Sequence, residues 1–200
     1  MKEDILEQLA ENYLHHLGYF TCHNIKFLPS RDDRDYMKRE DDVASDIDIL
    51  AVHPKRKGAE RVIAVSCKSW MKGFSPESII KSIENDKKLS GKPAWKSFRE
   101  LVVPKWSRSF IAKIEELTGQ SKFSYWTLVV NLKGEPEIWQ NYPLFKTQLN
   151  NNPIRLITLE EMINKIMLTI NTTPSASELE RVLQLINAAG LEVVPKRKKK

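Results

Sequence analysis

Leu6, Leu9, Ala10, Tyr13, Leu14 and Leu17 recur at the spacing of one helical face, and Gly18 ends the pattern. The chain thus predicts an amphipathic first helix. A strand is expected between Tyr19 and Leu28, closed by Pro29. Residues 30–44 are charged and almost free of aliphatic side chains, which predicts a surface loop. Two apolar runs follow, Ile47-Ile49-Leu50-Ala51-Val52 and Val62-Ile63-Ala64-Val65, with a basic turn at residues 54–58 between them. They predict a hairpin with strands over residues 46–53 and 61–69.

Ser75-Pro76 reads as a helix start, with serine as cap and proline at the first helical position, and Ile79, Ile80 and Ile83 would form its apolar stripe. Helices are expected near 95–103 and 107–118, a strong strand over 123–132 and a shorter one at Glu137-Ile138-Trp139. A strand at 153–156 leads into a helix over 159–170, a linker at 173–177 and a last helix over 178–188 ending at Gly190. This order predicts an α/β or α+β fold around a central mixed sheet. Residues 1–171 are expected to form the main domain, 172–194 a linker with the last helix, and 195–200 a basic tail.

Composition changes this picture little. Two hundred residues, 41% hydrophobic and 29% charged, suit one soluble domain with a sizeable core. No stretch is long and apolar enough for a membrane span, and the acidic start MKEDILEQ lacks a signal-like apolar run, so a cytoplasmic protein is expected. Cys22 and Cys67 make no disulfide framework and no zinc spacing. The net charge of +6 comes mainly from Lys196, Arg197, Lys198, Lys199 and Lys200, a tail that suits nucleic acid or plain solvation.

The candidate chemistry lies in the hairpin. Residues two apart on a strand share a face, so Asp46 and Asp48 point together, as do Ser66 and Lys68. Neighbouring strands would bring two carboxylates, a hydroxyl and an ammonium into one place. Buried charge is costly unless paired or metal-bound, and hard oxygen ligands favour Mg2+ or Mn2+. Glu7 on the first helix is placed to add a third carboxylate, with Glu11 one turn on as its substitute. Cys67 alternates away from Lys68 and is expected to be a core thiol, and His15 and His16 are expected to be ordinary helix histidines. Trp70 and Phe74 are expected either in the core or beside a substrate groove.

These residues resemble the PD-(D/E)XK nuclease superfamily, whose pattern is a helix glutamate, an aspartate opening a strand, then (D/E)xK on the next. The stretches EQLAENYLHHLGY, SDIDILAV and VSCKSW are similar to its Mrr-type and Holliday-junction-resolvase branches, including the ending Cys67-Lys68-Ser69-Trp70. The likeness covers residues 5–70 well and is only architectural as far as 170. It implies a restriction-endonuclease-like α/β fold, a central mixed sheet flanked by helices. It also implies a magnesium- or manganese-dependent DNA endonuclease for restriction, defence or DNA repair and recombination.

On this resemblance Glu7 takes the helix glutamate, Asp48 the strand aspartate, Lys68 the motif lysine and Ser66 the position of the motif acid. The metal would be held by Asp48, by Asp46 or Glu7, by the Cys67 backbone carbonyl and by waters. Ser66 departs from the pattern, because serine carries no charge and ligates weakly. Lys92, Lys96, Arg99, Lys105 and Arg108, interleaved with Trp95, Phe98 and Trp106, form the expected nucleic-acid surface, with buried aromatics and solvated lysines as the plainer account. Cutting both strands would need two sites, hence a two-fold dimer. The alternatives are a degenerate nuclease-fold module that binds nucleic acid without cutting it, and a structural subunit that uses residues 95–113 for protein contact.

Overall fold

The computed structural model describes residues 4–89, 91–170, 173, 175 and 177–191. Helix α1, Ile5–His16, begins where Asp4 accepts the Leu6 N–H at 2.9 Å, and Gly18 turns the chain out of it at φ +86°. A Cβ at Gly18 would come within 3.0 Å of the His53 ring, so the turn needs glycine for space as well as for φ.

Strands β1 (Phe20–Phe27), β2 (Ser45–Val52) and β3 (Val62–Lys68) form an antiparallel meander, as the two apolar runs and the basic turn predict. Between β1 and β2 lies the short helix α2, Lys38–Asp41. After β3 come α3 (Pro76–Glu84), a two-rung hairpin of β4 (Lys88–Leu89) and β5 (Lys92–Pro93), then α4 (Arg99–Val102) and α5 (Pro104–Thr118). Strand β6 (Ser124–Val129) returns parallel to β3, and β7 (Ile154–Thr158) lies parallel to β6. Two short helices, α6 (Pro136–Gln140) and α7 (Pro143–Gln148), join β6 to β7, and α8 (Leu159–Thr169) and α9 (Glu178–Ala188) complete the described chain. The sheet order β1-β2-β3-β6-β7 gives an α/β fold with a mixed five-stranded sheet between two helical layers.

Each face of the sheet carries its own core. Ile63 and Val65 of β3 pack toward α1, α8 and α9, while Val62 and Ala64 pack toward α3, α4, α5, α6 and α7. A strand covered on both faces reads as a continuous apolar run, which is why residues 62–65 lack alternation. Helix α9 belongs to this architecture. Leu183 is buried in the α1 core, Asn12 donates to the Ser177 hydroxyl at 2.9 Å, and His16 bridges Glu180 at 3.1 Å and Thr169 at 2.9 Å. Among the described residues no helix is long and apolar enough to cross a membrane.

Two expectations are corrected. Residues 137–139 form helix α6, not a strand. Pro136 pre-sets the helical φ at its start, and Trp139 enters the core from this helix, its indole N–H donating to the Thr127 hydroxyl at 3.0 Å. Residues 30–44 are not wholly surface. Asp41 is 1% exposed and binds Lys105 at 2.6 Å and the Trp106 indole at 3.2 Å, so one acid of a polar segment anchors the rest to α5. The basic tail, the first three residues and part of the 173–177 linker lie outside the described residues.

Candidate active site

The pairing of β2 with β3 runs from Val52 opposite Val62 to Ile49 opposite Val65, and stops there. Both strands continue, β2 back to Ser45 and β3 on to Lys68, so the sheet opens into a fork. Strand β3 stays paired with β6 as far as Lys68 opposite Val129, so β2 is the strand that leaves. Asp48 fills the fork, its Oδ2 accepting the Cys67 N–H at 2.6 Å. The carbonyl and N–H of one strand residue point to the same neighbour, so the Cys67 carbonyl faces the fork as well.

On the other side of β2, Asn24 lies opposite Asp48 and takes φ +53°, a left-handed conformation that asparagine tolerates. The alternation of faces reverses there. Thr21 and His23 reach Glu11 of α1 at 2.8 and 2.7 Å, whereas Ile25 and Phe27 join the opposite core. Ile47 and Ile49 likewise go to different cores.

The fork opens into a cleft of about 300 Å3 whose walls include Asp46, Asp48, Ser66, Lys68, Lys96 and Glu100. Asp48 and Lys68 therefore share one cavity, as the pairing of the two strands predicts. Burial pushes the Asp48 carboxyl up to about 6. The Lys68 charge and the Cys67 N–H pull it back only in part, and Asp46 and Glu100 push it further up. Lys68 places its ammonium 5.3 Å from the centre of the Phe98 ring. Asp46 is exposed and ion-paired with Lys26 at 2.7 Å. Cys67 packs its thiol against the α1 core, as expected, and burial raises its pKa well above the ordinary value. Trp70 packs beside the other core and also lines the cleft, while Phe74 is buried in that core.

Glu7 is not brought into the cleft. It lies in a separate depression of about 280 Å3 with Glu11 and His23, behind the α1 face of the sheet. Burial raises its pKa, and the Asp48 charge raises it further. The carboxylate the cleft does contain, and which strand periodicity cannot reveal, is Glu100. It is 8% exposed on α4 and accepts from the Tyr125 hydroxyl at 2.5 Å. The only sequence signal for it is an acid set among the basic and aromatic residues of 95–106.

The expected nucleic-acid surface divides. Lys105 is 6% exposed and committed to Asp41, so it is a structural ion pair and not a phosphate contact. Arg108 pairs with Asp33 at 2.5 Å, and Arg99 lies 4.7 Å from the centre of the Trp106 ring while donating to the Val43 carbonyl at 3.3 Å. Lys92 is exposed on β5, and Lys96 stands on the cleft wall over Trp95. Together with the exposed Lys87 and Lys88 they pair with no acid among the described residues, unlike Lys81, Lys105, Arg108 and Lys113. Apart from Arg99, which is also without an acid partner, the unneutralised positive charge of this region among the described residues lies on the β4–β5 hairpin and its continuation into the cleft.

Among the described residues no three His, Cys, Asp or Glu side chains form a cluster able to ligate one ion. A cation at the fork would take one or two carboxylates, the Cys67 carbonyl and waters. That sparse donor set suits Mg2+, which keeps several waters. The under-neutralised Asp48 carboxylate fits it too. No family model matches the chain, and neither a curated protein nor a solved structure matches it.

Proposed function

We propose that this protein is a metal-dependent DNA endonuclease related to the PD-(D/E)XK nucleases. The observation that carries the reading is the fork itself. Where β2 leaves β3, it leaves Asp48 partly stripped of water, with Lys68 in the same cleft and the Cys67 carbonyl beside it. Asp48 and the Cys67 carbonyl would hold Mg2+ or Mn2+, while Asp46 stays ion-paired with Lys26. Bound there, the cation acidifies a water and offsets charge on a scissile phosphate. Lys68 orients the attacking water and faces the phosphate with its ammonium. Phe98 limits the directions that ammonium takes. Lys87, Lys88, Lys92 and Lys96 hold the DNA backbone across the mouth of the cleft.

Ser66 favours a second reading, a nuclease-fold module that binds DNA without cutting it, because a neutral hydroxyl stands where the motif carries an acid. One experiment separates the two. The full chain is incubated with supercoiled, single-stranded and branched DNA in Mg2+ or Mn2+, beside Asp48→Ala. Cleavage by the wild type that needs the metal and disappears in the variant supports the nuclease. Retained DNA binding without cleavage of any form in either metal supports the module.

A further inference from the structure

We propose that Glu100 is the second carboxylate of the cation-holding cleft, doing from helix α4 what Ser66 cannot do from strand β3, and that Tyr125 is its positioning residue. This inference rests on the reading of the fork as a metal-dependent site.

Ser66 lies on the face of β3 that carries Lys68, and it is 8% exposed at the cleft wall. A hydroxyl there adds no charge. Glu100 reaches the same cleft from helix α4, between the fully buried anchors Phe98 and Leu101. It is itself more than nine-tenths buried. Its carboxylate accepts from one neutral donor, the hydroxyl of Tyr125, which is 1% exposed and fixed against Phe110. A phenol offers a single O–H and no charge, which leaves the second carboxylate oxygen to other partners. Among the described residues no lysine, arginine or histidine forms an ion pair with Glu100.

The charge balance of the cleft follows. Asp48 and Glu100 share the cleft with two lysines, and neither lysine forms an ion pair with them: the Lys68 Nζ rests over the ring of Phe98, two residues before Glu100, and the Lys96 Nζ over Trp95. Two carboxylates that folding takes partly out of water, neither of them in an ion pair, leave charge unmatched at the floor of the cleft, and desolvated charge is costly until it is matched. A small divalent cation would match that charge, with Asp48 and Glu100 as the residues that would hold it. Tyr125 holds one oxygen of Glu100 and so sets the direction of the other.

Binding of Mn2+ alone to the full chain, followed by the loss of the free-ion electron paramagnetic resonance signal, tests this without reference to DNA cleavage. Asp48→Asn and Glu100→Gln are expected to weaken Mn2+ about a hundredfold, and Tyr125→Phe about tenfold. Ser66→Asp added to Glu100→Gln is expected to restore most of the loss, because it returns a carboxylate to the same cleft. Thermal unfolding reports whether each variant is folded. If Glu100→Gln is not, Glu100→Asp, which keeps the charge but withdraws it by one methylene, takes its place and must also weaken Mn2+.

Wild-type affinity in the folded Glu100 variant, with loss in Asp48→Asn, overturns the role of Glu100 and leaves the proposed function standing. Wild-type affinity in both overturns the cation site itself. A loss in Glu100→Gln that Ser66→Asp does not recover makes Glu100 a scaffold for the cleft and overturns the proposal.

Discussion

Asp41 and Asp48 are both aspartates that folding takes largely out of water, and the protein finishes the two sites differently. At Asp41, burial pushes the carboxyl up. Lys105 at 2.6 Å, the Met37 N–H at 2.7 Å and the Trp106 indole at 3.2 Å pull it down further, so it is held below the ordinary aspartate value. Both carboxylate oxygens accept, Oδ2 from the Met37 N–H and Lys105 and Oδ1 from the Trp106 indole, and one of these donors is a buried full charge. At Asp48, burial also pushes up, but the answer is one backbone N–H and a lysine that forms no ion pair with it. Two neighbouring acids then push the same way, and the carboxyl ends near 6. A structural charge is completed by the fold, whereas the fork site retains a deficit that a ligand from outside can fill.

The largest expected effect is on chemistry at the unfinished site. Asp48→Ala and Lys68→Ala each lower metal-dependent DNA cleavage about a thousandfold or more in a plasmid-nicking assay, with melting temperatures close to wild type. Next comes the finished site. Lys105→Met leaves Asp41 buried without its cation and destabilises the protein by about 3–5 kcal/mol, roughly 10 °C in calorimetry. Cleavage per folded molecule is expected to be retained, because Lys105 is buried and does not line the cleft.

Third is a difference in sign. Asp48 is raised in the folded state, so its favourable contribution is complete below the unfolded value and is lost as pH rises through about 6. Without divalent cations, Asp48→Asn therefore stabilises the chain by about 1–3 kcal/mol at pH 8, and the gain fades as pH falls from about 6 and is gone below about 4. Asp41→Asn does the reverse. A depressed carboxyl contributes above its unfolded value, so this variant is destabilised at pH 8 and recovers toward acid, as urea unfolding across pH measures. The smallest effect is at the hairpin. Lys88→Glu with Lys92→Glu weakens DNA binding severalfold and lowers the slope of log K against log salt by about 2, read by fluorescence anisotropy.

The parts legible in the sequence are those with local signals. α1 is written in its apolar stripe and in Gly18, β2 and β3 in unbroken aliphatic runs, and α3 in Ser75-Pro76. The pairing of the two strands then brings Asp48 and Lys68 into one cavity, although the alternation of faces along β2 reverses at Asp48. What stayed hidden depends on long-range closure. Glu100 meets the fork only because the chain between β3 and β6 folds back over it, and nothing in FRELVV shows that its acid turns inward. Lys105 looks like its basic neighbours until its partner, Asp41, arrives from 64 residues away.

Glu7 shows the limit of periodicity. It stands on the expected face of α1, yet that face packs behind the sheet, in a depression of its own. At residues 137–139 a β-branched residue and an aromatic suggested a strand, and Pro136 decided for a helix.

The central claim is that the fork at Asp48 is built to be completed by a divalent cation. Anomalous diffraction from crystals grown with Mn2+ tests it most directly. The account predicts one strong peak within about 2.2 Å of an Asp48 carboxylate oxygen and of the Cys67 carbonyl oxygen. An ordered cleft without that peak, in which the Lys68 ammonium closes directly onto Asp48, would contradict it.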